Sequence, residues 1–235
     1  MEVGEEGEVV TPNDFIRAGR VPNTVEPAEF GPWTISRVKA EETLPLCGDQ
    51  VIMNRKLVGF DDYTILHRST WATLHLPYGD IVMEDSRREL RKHLPIWMAA
   101  RGRVLVTGLG LGCVARGLLA NDKVEHVTII EKCPYIVEKI GPEFWRDPRV
   151  SLYLEDALEW RFELERFDFA WHDLWTDQSA DEPHLQKLHA QLFIRYRRVA
   201  RIQGAWAFPR ELYRTYARRI PLIGGPNFRG RLSIA

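Results

Sequence analysis

The run Val104-Leu-Val-Thr-Gly108-Leu-Gly110-Leu-Gly112-Cys113 constrains this chain more than any other stretch. A short β-prone segment leads straight into three alternating glycines, and a helical pattern follows from Val114 to Leu119. Glycines placed there let the backbone turn sharply after a strand and approach a ligand closely beside a helix N-terminus. The next apolar run, Val127-Thr-Ile-Ile-Glu131, ends on a carboxylate 21 residues beyond Gly110. An acid at that place can accept the hydroxyl protons of a ribose. Strand, glycine turn, helix and acid in this order predict a site for a nucleoside-type cofactor. The spacing is G-x-G-x-G, with Cys113 where a dinucleotide fingerprint has its third Gly or Ala, so NAD is a minor option. No P-loop lysine follows, which disfavours a nucleotide triphosphatase.

The segments after the turn keep the same rhythm. Further strands are predicted at 150–155, 167–171 and 205–208, with helices at 135–140 and from about 182 to 200. Continuous apolar strands alternating with helices make an α/β fold whose parallel sheet is covered on both faces. Before the turn, Val51–Asn54, Tyr63–Leu66 and Trp71–Leu76 are short β-prone runs, and Pro77-Tyr-Gly-Asp80 is a turn leading to Ile81-Val-Met. They predict a small antiparallel region. Asp85 or Ser86 can cap a following helix with Leu90, Leu94, Trp97 and Met98 on its apolar face, kinked at Pro95 and ended at Gly102. The expected division is a flexible acidic arm at 1–30, a small β-rich region at 31–84, a cofactor domain at 85–221 and a tail at 222–235.

Composition narrows the class. The 235 residues are 45% hydrophobic and 28% charged, as in soluble globular proteins. No apolar run approaches the roughly 18 residues of a membrane span, and the acidic N-terminus does not read as a secretory signal. Cys47, Cys113 and Cys133 lie far apart without a CxxC, which predicts a reducing, cytoplasmic setting. The seven histidines lack metal-site spacing and no G-x-S-x-G is present, so neither a metal nor a serine nucleophile is expected. The net charge of −1 hides an uneven split of −5 over 1–100, −5 over 101–194 and +9 over 195–235. The last segment holds ten Arg, no Lys and one Glu. A solvated helix and tail is the favoured explanation, and nucleic acid is the less favoured partner.

On these residues the chain resembles the class I S-adenosylmethionine-dependent methyltransferases. Their first motif has the G-x-G-x-G, and an acid ends their second strand. The likeness extends to Glu155-Asp156-Ala157 after the third strand and to Phe167-Asp-Phe-Ala-Trp-His-Asp173 after the fourth, over about residues 100–210. It implies a Rossmann-like methyltransferase core and S-adenosylmethionine as cofactor. Gly108, Gly110, Gly112, Glu131, Asp156 and Ala157 would bind that cofactor, the last two at its adenine.

Two branches are most similar. Spermidine synthases put a β-rich region before the core and use an acid after the fourth strand to help deprotonate an amine. Here Asp173 and Asp177 take that place, but G-G-G-D-G and D-S/T-x-D are replaced by Gly108-Leu-Gly-Leu-Gly112 and Asp173-Leu-Trp-Thr-Asp177. Guanidinoacetate methyltransferase is similar at Val82-Met-Glu84, which implies that Glu84 and Asp173 hold a cationic substrate. An amine nucleophile must lose a proton, and His172-Asp173 supplies a histidine and a carboxylate for that step. Trp171 reads as core, and Trp175, beyond the strand, reads equally as packing or as a face for a cationic group. The expected enzyme is therefore a methyltransferase of a small amine-bearing molecule. Aminopropyl transfer, nucleic-acid or protein methylation and a non-catalytic scaffold are the alternatives. The family core has seven strands, but only 27 residues follow Phe208. A mostly parallel sheet shortened at its C-terminal edge to five or six strands is expected, with a second subunit of a homo-oligomer as one way to cover that edge.

Overall fold

A computed structural model of the chain describes residues 10–39, 43–44, 53–54, 62–68, 81–162, 165–174, 182–206, 208, 214–216 and 218–223. The first element departs from expectation. Pro12–Ala18 forms a helix, α1, inside the stretch read as an irregular arm. Its start is a capping box: the Thr11 hydroxyl accepts from the Asp14 amide, and the Asp14 carboxylate accepts from the Thr11 amide at 2.9 Å. Phe15 and Ile16 are buried, and the Phe15 ring stacks on Trp97. One apolar pair on one turn is too short a signal for periodicity to reveal.

The strands β1 (Ala28–Phe30), β2 (Trp33–Val38), β3 (Thr43–Leu44), β4 (Met53–Asn54), β5 (Tyr63–Arg68) and β6 (Ile81–Glu84) follow. They make an antiparallel sheet of order β1-β2-β5-β6 and a separate pair, β3-β4. The expected strand Trp71–Leu76 and the turn Pro77–Asp80 lie outside the described residues. Next, α2 (Arg87–Leu90) is capped by the Ser86 hydroxyl, and a 3-10 turn, Arg91–His93, leads into α3 (Leu94–Ala99). Pro95 sits in the first turn of α3, so the expected kink is a break into two helices. Gly102 does not end this segment. Ala100 is already extended, and Gly102 opens the next strand at φ +65°, where a Cβ would strike the Asp168 side chain.

That strand is β7 (Gly102–Thr107). It is followed by α4 (Cys113–Leu119), β8 (Val124–Glu131), α5 (Pro134–Phe144), β9 (Val150–Leu154), β10 (Phe167–His172), α6 (Glu182–Tyr196) and β11 (Ala200–Ala205). The order is β11-β10-β7-β8-β9, with every pairing parallel. The direction of progression reverses between β7 and β10, which is where open α/β sheets form a ligand crevice. This is the Rossmann-like α/β architecture that the alternation predicts. Among the described residues the sheet has five strands, plus one parallel bridge from Gln203 to Leu222.

The fifth strand starts five residues before the predicted 205–208, and α6 stops at Tyr196 rather than Ala200. The sequence Ala-Arg-Ile-Gln-Gly-Ala hides it. Arg201 points to solvent, and the buried Gln203 is satisfied by the Phe193 carbonyl at 3.1 Å. One continuous core joins Trp33, Ile35 and Leu66 of the antiparallel sheet to Val104, Val106, Val127 and Ile129 of the parallel one. The other face packs Leu105, Phe167 and Ala170 against Leu192 and Tyr196. Full burial of such side chains contributes about 1.5–3 kcal/mol each, so the antiparallel sheet is held firmly over the C-terminal strand ends.

Candidate functional site

A cleft of about 990 Å³ opens between those strand ends and the antiparallel sheet. Its floor is the glycine turn. Gly108 has φ +95° and Gly110 has φ +50°, a region that disfavours side chains. A Cβ on Gly108 would overlap the Asp173 carbonyl oxygen, and one on Gly110 would meet Met83 Sδ at 2.5 Å. The Met83 thioether also accepts the Leu111 amide at 3.1 Å. Gly108 and Gly110 both face the cleft. Gly112 does not line it. It caps α4 with φ +79°, and its Cα faces the Phe144 ring. The expected ligand contact at Gly112 is thus corrected to helix capping and close packing.

The other expected cofactor residues converge. Glu131 is buried with its carboxylate at the cleft, where Oε2 accepts the Leu109 amide at 2.7 Å and Oε1 the Cys133 amide at 2.8 Å. Each oxygen keeps a second lone pair for a ligand hydroxyl. Asp156 Oδ1 accepts the Leu158 amide at 2.8 Å, which fixes the loop after β9. Ala157 is buried, and its carbonyl accepts the Tyr196 hydroxyl at 2.7 Å. Asp156, Ala157 and Leu158 line the cleft with Ile130 and Ile136, which gives an apolar slot bordered by carboxylates.

The remaining wall holds Glu84 and Asp173 together with residues the sequence did not single out: Glu89, Arg68, Trp33 and Trp206. The Ser86 hydroxyl donates to Glu84 Oε1. Glu89 accepts the Trp206 indole N–H and pairs with Lys92 Nζ at 2.6 Å. Asp173 is fixed through its own amide, which donates to the Thr107 carbonyl at 2.8 Å. Desolvation, then the neighbouring Glu89 and Glu131 carboxylates, push the Asp173 carboxyl up to about 7. Among the described residues, six carboxylates line the cleft (Glu84, Glu89, Glu131, Glu155, Asp156, Asp173) against the cations Arg68 and Lys132. Such a surface favours a positively charged ligand. Glu89 escapes a sequence reading because it stands at N3 of a Ser-capped helix, where Glu is the ordinary capping partner.

His172 is not brought to the cleft, which corrects its expected catalytic part. It is fully buried between the rings of Phe193 and Tyr196. Its Nδ1 lies 3.0 Å from the Thr107 hydroxyl and its Nε2 3.0 Å from Gln203 Oε1. Gln203 donates its own amide to Phe193, so Nε2 carries the proton and Nδ1 accepts from Thr107. Burial pushes the imidazole down to about 4 and keeps it neutral. The Cys113 thiol is buried and pushed strongly up, which removes it as a nucleophile. Trp171 is core, as expected, while Trp175 and Asp177 lie outside the described residues. Among the described residues no group of three His, Cys, Asp or Glu side chains could hold a metal ion. No described helix is long and apolar enough to cross a membrane.

No family model matches the sequence, and no curated protein matches it. Among solved structures, the chain is similar to the N-methyltransferase NodS from Bradyrhizobium japonicum WM9 at 17% identity and a TM-score of 0.35, over 46% of this chain and 57% of that one. The CcbJ methyltransferase from Streptomyces caelestis matches at 17% identity and TM-score 0.36, over 46% and 47% of the two chains. The putative RNA methyltransferase PH1948 from Pyrococcus horikoshii matches at 18% identity and TM-score 0.37, over 56% and 63%. The chain spans about half the length of the structures it matches. An overlap this partial does not carry the neighbours' activities over to this chain.

Proposed function

We propose that the cleft binds S-adenosylmethionine and that the chain transfers a methyl group from it to a small amine-bearing acceptor. One observation carries the reading: Gly108, Gly110, Glu131, Asp156 and Ala157, distant in sequence, line one cleft together with Glu84, Glu89 and Asp173. The residues fit the cofactor. Gly108 and Gly110 line the cleft at positive φ, where the turn passes close to the Asp173 carbonyl and the Met83 thioether, and the remaining lone pairs of Glu131 suit a ribose diol. The slot of Ile130, Ile136 and Leu158 beside Asp156 suits a flat base with an amino group. The carboxylate excess suits a sulfonium and an ammonium.

When bound, S-adenosylmethionine supplies an electrophilic methyl group. What remains for the protein is alignment, exclusion of water and handling of one proton. Glu84 and Glu89 hold the cationic acceptor, and Trp33 and Trp206 wall it off from solvent. Asp173, whose carboxyl titrates near neutrality, accepts the proton that the attacking nitrogen sheds. The presence of Glu84 and Asp173 in one wall supports a place near the guanidinoacetate methyltransferase and spermidine synthase branches.

Calorimetric titration with S-adenosylmethionine, S-adenosylhomocysteine, decarboxylated S-adenosylmethionine and NAD tests this. The first two should bind with similar affinity and NAD should not. Preference for the decarboxylated form would replace methyl transfer by aminopropyl transfer. Binding of NAD alone would overturn the reading.

A further inference from the structure

Among the described residues the parallel sheet ends at β9 on the side away from β11. The inner side of β9 is taken. The Val127 amide donates to the Arg149 carbonyl at 2.7 Å, and the Glu155 amide donates to the Glu131 carbonyl at 3.0 Å. Backbone bonding alternates along a strand, so Ser151 and Tyr153 also bond toward β8. Leu152 and Leu154 therefore point their N–H and C=O groups outward, and so does the Val150 carbonyl. The Val150 amide is closed onto the Asp147 carbonyl at 3.0 Å. Such an edge is a template for another strand, and proteins ordinarily blunt it with charge, proline or a bulge. Val150-Ser-Leu-Tyr-Leu154 has none of the three.

The side chains along this edge are apolar, and three of them are open to solvent. Leu152 faces α5, where its Cδ2 lies 3.0 Å from the place of a Cβ on Gly141, beside Trp145. Alternation puts Val150 and Leu154 on the same side. Leu154 is 51% exposed and Trp145 58%. Tyr153, on the other side against Trp160, is 40% exposed. Charge bounds the segment with opposite sign, Arg149 at its start and Glu155 at its end. An antiparallel second β9 centred on Leu152 is in phase with the outward backbone groups. Leu152 then meets Leu152, Leu154 meets Val150, Tyr153 meets Ser151, and Arg149 meets Glu155. The acids beyond the strand fit too. Asp156 falls opposite Pro148 and Asp147 opposite Ala157, and Asp147 already pairs with Arg149 of its own chain at 2.9 Å. No two like charges stand directly opposite.

We propose that β9 is the contact between two copies of this chain, paired antiparallel about Leu152 so that the two parallel sheets continue into one another. The contact is isologous, with the two-fold axis at Leu152 and each Arg149–Glu155 pair made twice. Charge complementarity selects a second copy as the occupant, because one short segment supplies both the cation and the anion at equal distances from its own centre. The contact also reaches the cleft. Glu155 lines the cleft and leads into Asp156 and Ala157, so Arg149 of the second copy stands at its rim. The pairing holds whether or not the proposed methyl transfer is correct.

Sedimentation velocity of the full chain from about 1 to 200 µM is the test, because association follows concentration by mass action. The mass should rise from one chain to two and no further. Leu154→Lys puts a charge on an exposed position of the edge and should leave a monomer with the circular dichroism of the parent. Arg149→Glu and Glu155→Arg should each weaken association roughly tenfold or more, since each sets like charges opposite one another twice. The double variant Arg149→Glu/Glu155→Arg should restore the dimer, a rescue that follows from this register alone. A parent that stays monomeric over the whole range would overturn the proposal, whether another segment of the chain or a different protein covers the edge. A dimer indifferent to all three single variants would overturn it as well, and so would a double variant that folds like the parent but stays monomeric.

Discussion

Glu131 Oε2 accepts the Leu109 amide at 2.7 Å, so the acid at the end of β8 grips the glycine turn that leaves β7. The two halves of the sequence signature are thus one hydrogen-bonded unit, and Glu131 shapes the turn as well as facing the ligand. Glu131→Gln keeps one carbonyl acceptor but turns an amide N–H₂ toward a backbone donor. An unmet buried amide costs about 1–3 kcal/mol. Calorimetry should show S-adenosylmethionine binding weakened roughly tenfold to hundredfold, with a lower melting temperature. Asp156→Ala should weaken binding with a smaller loss of melting temperature, because among the described residues the Asp156 carboxylate bonds only its local Leu158 amide. Undiminished affinity in both would remove these residues from the cofactor site.

Much of this was legible in the sequence, for physical reasons. Strands buried on both faces read as unbroken apolar runs, so the apolar pattern marks β7, β8 and β10 to within a few residues. The glycine turn and Glu131 declared themselves by spacing. What failed were features set by tertiary contact. β11 is half polar because Gln203 is satisfied by Phe193 and His172. His172 sits beside Asp173 in sequence, yet alternation along the strand sends adjacent side chains to opposite faces. Only the approach of Trp206 and Asp173 distinguishes Glu89 from a capping residue.

Gly108 is required by its surroundings. Its φ is +95°, and a Cβ there would overlap the Asp173 carbonyl oxygen. Gly108→Ala should destabilise the fold by about 1–3 kcal/mol from backbone strain alone, with further loss as β10 is pushed from β7. Urea unfolding would read this as a lower midpoint at constant slope. A variant as stable as the parent would show that the turn adopts another conformation.

Asp173 should set the pH dependence of turnover. Its carboxyl is raised to about 7, so the proton-accepting form dominates only above neutrality. The rate should therefore climb as pH rises through about 7. Glu89→Gln removes one of the carboxylates that raise Asp173 and should move the rise to lower pH. Stability runs the other way. The folded state holds this proton more tightly than the unfolded one, so the contribution is full below the ordinary value of 3.8 and is lost as pH rises toward 7. Asp173→Asn should abolish turnover, keep cofactor binding and flatten that part of the stability curve. Retained turnover in Asp173→Asn would end its catalytic assignment.

Among the described residues, three of the buried histidines, His93, His172 and His189, separate packing from hydrogen bonding. His172 is paired at both ring nitrogens, whereas both nitrogens of His93 and of His189 have no partner among the described residues. His172→Phe strands the Thr107 hydroxyl and the Gln203 amide oxygen, at about 1–3 kcal/mol for each unmet group. His93→Phe removes two unmet polar atoms in exchange for a ring of similar size against Trp97 and Trp171. It should leave stability unchanged or raise it by about 1 kcal/mol. Acid should expose the same contrast. Burial holds His172 down to about 4 and His93 and His189 to about 3, against 6.5 when unfolded. The unfolded chain then binds more protons, so their contribution is present above 6.5 and is lost as pH falls toward 3. Melting temperatures between pH 7 and pH 4 should fall less steeply for His93→Phe than for the parent. An equal slope in the two proteins would mean that His93 is solvated and titrates normally in the folded state.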